Sequence, residues 1–243
     1  MISHGGALDH STFRPLAETL SDHWRVILWD LPGHGQSQPR PNSFSAAVCA
    51  EAMAAVMDDA QATKAVVLGF SFGGVVSQVL AENRPDLVHR LIAYGCLSPH
   101  VGQPILPKPM VWPTVQGLFG LMPWKGIKSR FAELCCASPE ARDRVMTDMA
   151  PVGKAGFLAM ARANLEARSS NPAFRILGGV DLIAGALDSN GDAIWRTFKA
   201  FEEAYPGARK VIIPEAGHCA HQDQPELFEA ALRDLLQSDD AQA

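Results

Sequence analysis

Runs of β-branched and apolar residues alternate along the chain with longer stretches whose apolar positions recur at helical spacing. Arg25–Trp29 (RVILW) reads as a strand, stopped by the turn formers Pro32, Gly33 and Gly35. Ser43–Ala60 is expected to be a helix: Ser43 is placed to cap it, and Val48, Ala52, Ala55, Val56 and Met57 repeat at helical spacing. Ala65–Gly69 (AVVLG) is apolar without interruption, the pattern of a strand buried on both faces. Phe72–Glu82 begins another helix, which Pro85 closes, and Leu91–Tyr94 is a further strand. After Leu97 the rhythm breaks. From Ser98 to about Ala173, Pro-rich sequence bearing Trp and Met is followed by helical segments. Strand character returns at Val180–Ala184 and Lys210–Ile213, and a helix over Pro225–Leu236 ends the pattern.

This alternation predicts a mostly parallel sheet flanked by helices. The expected organisation is a core formed by 1–97 and 174–243, with 98–173 as a helical cap inserted between two of its strands. A chain of 243 residues suffices for that plan.

Composition narrows the picture. With 47% hydrophobic and 19% charged residues, the chain can bury a sizeable core and is neither disordered nor coiled-coil in type. A net charge of −5 without any basic block argues against nucleic acid as a partner. No apolar run reaches the roughly eighteen residues of a membrane span, and no leader pattern is visible. The cysteines, Cys49, Cys96, Cys135, Cys136 and Cys219, are odd in number, irregularly spaced and free of C-x-x-C pairs. They read as reduced thiols of a cytoplasmic protein. Neither a metal nor an organic cofactor is expected.

The strongest chemical signal is Gly69-Phe70-Ser71-Phe72-Gly73, followed by Gly74, between a buried strand and a helix. A serine hydroxyl is a poor nucleophile unless a tight turn exposes it and a base takes its proton. Glycines on both sides permit such a turn, since side chains there would crowd the helix against the strand. The N–H of Phe72 then faces any oxyanion formed on a substrate. The alternative is a Gly-rich turn that only packs a helix closely.

Here the chain resembles the α/β-hydrolase family, over nearly its whole length. His4-Gly5-Gly6 is similar to the family's oxyanion loop, and Asp30-Leu31-Pro32-Gly33-His34-Gly35-Gln36-Ser37 to its D-x-x-G-x-G-x-S turn. Gly185-Ala186-Leu187-Asp188 is similar to the G-x-x-D after the penultimate strand, and Gly217-His218 to the glycine-histidine after the last. The chain order Ser, Asp, His is the one this fold uses. The resemblance implies Ser71 as nucleophile, His218 as general base and Asp188 as the carboxylate that orients it. Second choices are His221 for the base and Asp181 or Asp192 for the carboxylate. The second oxyanion donor falls at Gly6 or Ala7. Asp30 is expected to cap its turn and His34 to be structural, while His10, His23, His89 and His100 are read as surface or packing residues.

A serine at the elbow, where dehalogenases and epoxide hydrolases of this fold carry Asp, implies an acyl-enzyme. The expected substrate is a small, largely apolar carboxylic ester or lactone. Acyl transfer, C–C bond hydrolysis and non-catalytic ligand binding remain alternatives. Within the insertion, Trp112, Phe119, Met122 and Trp124 are candidates to line the substrate site, the competing reading being that they pack the cap. One departure stands out: only Met1-Ile2-Ser3 precede the His-Gly motif, where the family has a full central strand and two more ahead of it. The sequence start lies upstream, a partner chain covers the gap, or the sheet closes around a shortened strand. If nothing lies upstream, a homo-oligomer or an aggregation-prone monomer is expected.

Overall fold

The computed structural model describes residues 1–38, 40–99, 113, 116–117, 119–167 and 175–240. Among them five strands, β1 (Ile2–Ser3), β2 (Ala65–Phe70), β3 (Val88–Tyr94), β4 (Val180–Gly185) and β5 (Lys210–Ile213), form one sheet. They lie in the order β1-β2-β3-β4-β5, each neighbouring pair parallel. Parallel neighbours need long crossovers, and these carry the helices. Helices α1 (Arg14–Leu20) and α2 (Ala46–Asp59) lie between β1 and β2, and α3 (Phe72–Asn83) between β2 and β3. Helices α4 (Trp124–Cys135), α5 (Pro139–Asp148) and α6 (Gly153–Glu166) lie in the long segment between β3 and β4. Helix α7 (Gly191–Ala204) precedes β5, and α8 (Ala220–Asp223) and α9 (Pro225–Asp240) follow it. Among the described residues no helix is long and apolar enough to cross a membrane.

Strand β2, apolar in sequence, is buried from Val67 onward, and β4 is buried throughout. Helix α2 buries Cys49, Ala50, Met53, Ala54 and Met57, the i, i+3, i+4 stripe of an amphipathic helix. Its cap is Ser45, whose hydroxyl accepts from the Val48 N–H at 3.2 Å, two residues later than Ser43. At the ends of β2 and β3 toward the site, Phe70 and Tyr94 stack with ring centroids 4.4 Å apart, and Phe228 of α9 lies 4.8 Å from Tyr94.

The segment Arg25–Trp29 departs from expectation. Leu28 alone of its residues pairs, as an isolated parallel bridge with Ile2, and the Ile27 carbonyl accepts the Ile2 N–H at 2.9 Å. The reason is its neighbour: β1 has two residues, which leaves RVILW little ladder to join. Beyond that bridge the same short strand, first in the sheet order, pairs Ile2 with Leu68 and Ser3 with Gly69.

At the opposite end of the sheet from the site, Asp181 of β4 binds two arginines. Its carboxylate lies 2.9 Å from Arg90 Nη1 and 2.7 Å from Arg209 Nη2 and accepts the Arg209 N–H at 3.0 Å. Asp181 is thus a structural anchor far along the strand from Asp188. Arg90 is 8% exposed, so removing its carboxylate strands a buried cation. Asp181→Ala is expected to lower unfolding free energy by about 3 kcal/mol or more in urea titrations; an unchanged midpoint would contradict this role.

Candidate active site

Strand β2 leads into a residue whose backbone few side chains tolerate. Ser71 has φ 51° and ψ −119°, a strained conformation that costs about 1–3 kcal/mol when a non-glycine adopts it. The turn is clamped on both sides: the Ser71 N–H donates to the Tyr94 carbonyl at 2.9 Å, and its own carbonyl accepts from Gly74 at 3.0 Å. Close approach explains the surrounding glycines. A Cβ on Gly69 would sit 2.6 Å from the Gly74 Cα, and one on Gly74 would sit 2.6 Å from the Cys96 side chain. Gly73 is different from expectation, because its Cβ would strike the carbonyls of Ser3 at the end of β1 and of His4 just after it, rather than β2. Ser71 itself is half-buried, at the start of α3.

The loops after β4 and β5 bring Asp188 and His218 together. A Cβ on Gly185 would lie 2.0 Å from the Gly217 carbonyl, so only glycine lets the two loops pack this closely. His218 Nδ1 donates to Asp188 Oδ2 at 2.7 Å, and Asp188 Oδ1 accepts the Asn190 N–H at 2.9 Å. Burial alone would raise the Asp188 pKa and lower that of His218. Their hydrogen bond and opposite charge outweigh burial, leaving the carboxyl below and the imidazole above their ordinary values. The imidazole packs on Phe70, the residue before Ser71, with centroids 5.0 Å apart. Gly95, at φ 51°, gives it room, since a Cβ there would lie 3.2 Å from the ring. Among the described residues no hydrogen bond joins His218 to the Ser71 hydroxyl.

The alternatives separate on geometry. His221 is buried with both ring nitrogens engaged, Nε2 with Thr12 Oγ1 at 2.9 Å and Nδ1 with the Tyr94 hydroxyl at 3.0 Å. Burial and the neighbouring His218 push its pKa down to about 3. Asp192 is an exposed residue in the first turn of α7. One consistent proton order runs through the buried chain. Gln222 Nε2 donates to Thr12, Thr12 to His221 Nε2, His221 Nδ1 to Tyr94, and Tyr94 to the His218 carbonyl. This chain fixes the height of the loop that carries His218.

Of the two candidate oxyanion donors near the N-terminus, Ala7 is otherwise engaged: its N–H points to His34 Nε2 at 3.3 Å, and its φ is 64°. The Gly6 N–H has no partner among the described residues. The N–H of Phe72 opens α3, where no intrahelical acceptor exists. His4 supports this loop from beneath, its Nδ1 on the Gly5 carbonyl at 2.7 Å and its Nε2 accepting from Leu31 at 3.0 Å. Burial and nearby His34 lower its pKa to about 4, so it stays neutral. Asp30 clamps its turn as expected, accepting from the N–H groups of His10 and Gln36 at 2.7 and 2.8 Å. Asp9, His10 and Asp30 bring three potential ligand atoms within 4.8 Å of one another, but these bonds account for Asp30 without a metal.

The insertion contributes a residue that sequence reasoning missed. Met160 of α6 lies directly on Gly6, where a Cβ would come within 2.3 Å of its sulfur. No local pattern distinguishes Met160 from the other apolar residues of α6. Phe119 and Trp124 pack on Phe157, at 5.6 and 6.0 Å between centroids, and Phe131 joins them at 5.7 Å. Their contacts are those of a small core within the insertion. Met122 is half-buried, its carbonyl accepting from Lys154 at 2.8 Å. Trp112 and His100 lie outside the described residues. His23 and His89 are exposed, and His10 pairs with Asp30.

Tyr94→Phe removes a donor from the His218 carbonyl and a partner from His221. An unfolding free energy lower by about 1–3 kcal/mol is expected, and thermal or chemical denaturation equal to the parent chain would contradict the network.

The model of the alpha/beta hydrolase family matches residues 1–231. A protein of Neisseria meningitidis serogroup A, named pimeloyl-[acyl-carrier protein] methyl ester esterase, is 28% identical over 97% of this chain and 76% of its own length. A protein of the same name from Aeromonas salmonicida is 25% identical over 96% and 93%. Among solved structures, a thermophilic esterase from Thermogutta terrifontis superposes with a TM-score of 0.84 at 24% identity, covering 98% of this chain and 88% of that one. The enol-lactonase of Burkholderia xenovorans LB400 superposes with 0.82 at 21% identity, covering 97% and 90%.

Proposed function

The chain belongs to the alpha/beta hydrolase family, and on that premise we propose that it is a serine esterase, with Ser71 as nucleophile, His218 as general base and Asp188 as its orienting carboxylate. The observation that carries this reading is the buried Asp188–His218 pair, 2.7 Å apart, packed through Phe70 beside the strained Ser71 elbow. A strained serine turn and an acid-oriented imidazole serve no common purpose in packing; together they suit acyl transfer.

In the proposed mechanism Ser71 Oγ attacks the ester carbonyl carbon and its proton passes to His218 Nε2. This serine–histidine bond closes when substrate enters, as catalytic bonds often tighten on binding. The developing oxyanion accepts from the N–H groups of Phe72 and Gly6, both lacking a competing acceptor. His218 then protonates the departing alkoxide, water attacks the acyl-enzyme with His218 again as base, and the free acid leaves.

Helices α4–α6 act as a cap in this account, with Met160 set against the oxyanion loop. An apolar cap over a half-buried serine supports a carboxylic ester with an apolar acyl chain, or a lactone. The relatives named as acyl-carrier-protein methyl ester esterases favour an ester of a small alcohol.

A fluorophosphonate probe tests the nucleophile: labelling is expected on the parent chain and absent in Ser71→Ala, while labelling that survives the substitution overturns the assignment. Hydrolysis of p-nitrophenyl esters should fall by several orders of magnitude in Ser71→Ala and His218→Ala without loss of fold. The base must be neutral to work, and Asp188 raises its pKa above the ordinary value of about 6.5. The acid limb of kcat/KM is therefore expected above that value, and in Asp188→Asn it should move to lower pH as kcat drops. An acid limb unmoved by that substitution would contradict the pairing.

A further inference from the structure

The insertion touches the His218 loop through thiols and one carboxylate. The carboxylate of Asp223 accepts the N–H groups of Ala137 at 2.9 Å, Ser138 at 2.8 Å and Gly217 at 2.8 Å. It thereby stitches the turn after α4 to the residue before His218. Immediately beside that stitch, the Cys219 N–H donates to the Cys135 carbonyl at 2.8 Å. The same carbonyl fills the space where a Cβ of Gly217 would lie, at 2.7 Å. The neighbouring Cys135 and Cys136 thiols, together with burial, hold the Cys219 thiol well above its ordinary pKa. All three are free and buried.

We propose that Cys135 and Cys219 are an oxidation site, closed to a disulfide by a hydroperoxide, which ties the end of α4 to the residue after His218 and switches activity off. The inactivation half of this rests on the esterase reading; the cross-link does not. The single 2.8 Å bond from the Cys219 N–H to the Cys135 carbonyl keeps the two Cα atoms within about 6.7 Å of each other, inside the range a disulfide spans. Cys136, adjacent to Cys135 in sequence, lacks that backbone bond to Cys219 among the described residues. The Cys135 thiol is lowered below its ordinary pKa by the neighbouring Cys219 thiol, against the cost of burial, and the His218 charge adds to the effect. The thiolate is the form that reacts with peroxide.

The chemistry balances in two steps. Cys135 thiolate attacks one oxygen of hydrogen peroxide, the O–O bond breaks, and hydroxide leaves with the electron pair, giving Cys135 sulfenic acid. Cys219 sulfur then attacks the Cys135 sulfur, forming the S–S bond and expelling the sulfenic oxygen as water. Overall two thiols are oxidised and one peroxide is reduced to two waters. Closing a thiol contact to a bond of about 2.0 Å drags residue 219 toward α4 and His218 with it, away from its alignment between Asp188 and Ser71. A displacement of about 1 Å at a catalytic group costs about a hundredfold in rate.

The full chain is treated with hydrogen peroxide, capped with N-ethylmaleimide and digested without reduction. A linked peptide pair joining Cys135 to Cys219 is expected. Ester turnover should fall tenfold or more and recover on adding dithiothreitol. Cys219→Ala and Cys135→Ala should each keep the starting rate and resist peroxide. A link to Cys136 instead, inactivation that persists in Cys219→Ala, or a Cys135–Cys219 link that leaves turnover unchanged overturns the proposal. Failure of the esterase reading shows separately, as absent turnover before oxidation, and the peptide map still decides whether the cross-link forms.

Discussion

An imidazole and a carboxylate that share one proton 2.7 Å apart, the carboxylate side chain wholly shielded from solvent, set the terms for the rest of this fold. Such a pair is costly to bury, and additional hydrogen bonds offset that cost. Here Asn190 satisfies the second carboxylate oxygen, and the backbone of the His218 loop hangs from Tyr94. The glycines at 185 and 95 are consequences of the same demand. One lets the loops after β4 and β5 meet, and the other leaves space for the ring.

The site is therefore an outcome of strand ends rather than of any one loop. β2 delivers Ser71, β3 delivers Tyr94 and Gly95, β4 delivers Asp188, and the loop after β5 delivers His218. Parallel strands put all their carboxyl ends on one side, which is why four separated stretches of sequence converge. The insertion between β3 and β4 emerges at that same side, and Met160 and the turn at 135–138 are where it meets the oxyanion loop and the His218 loop.

Much of this was legible from residues alone. The largely apolar, β-branched runs at 65–69, 91–94, 180–184 and 210–213 form strands, being too short for a helix and bounded by turn residues. The glycine and serine pattern at 69–74 predicts a tight elbow, and Ser71 adopts one. What escaped were contacts that no local pattern encodes. RVILW has strand composition yet pairs through Leu28 alone, because pairing depends on the length of its neighbour. The Tyr94–His221 bond spans 127 positions; its one sequence signal is a phenol ending an otherwise apolar strand, a buried hydroxyl that must find a partner. Phe119 and Trp124 are open to two readings in sequence, lining a site or packing, and their rings meet Phe157 of the same segment. Ala7 and Gly6 are equivalent as backbone donors until His34 engages one of them.

Identity of the atom that carries the acyl group is the point on which the account stands. Rapid quenching of the protein during turnover of a slow p-nitrophenyl ester, followed by peptide mapping, reads it directly. The acyl mass is expected on the peptide containing Ser71. An acyl group on another residue, or ester turnover with no protein adduct at any time, would contradict it.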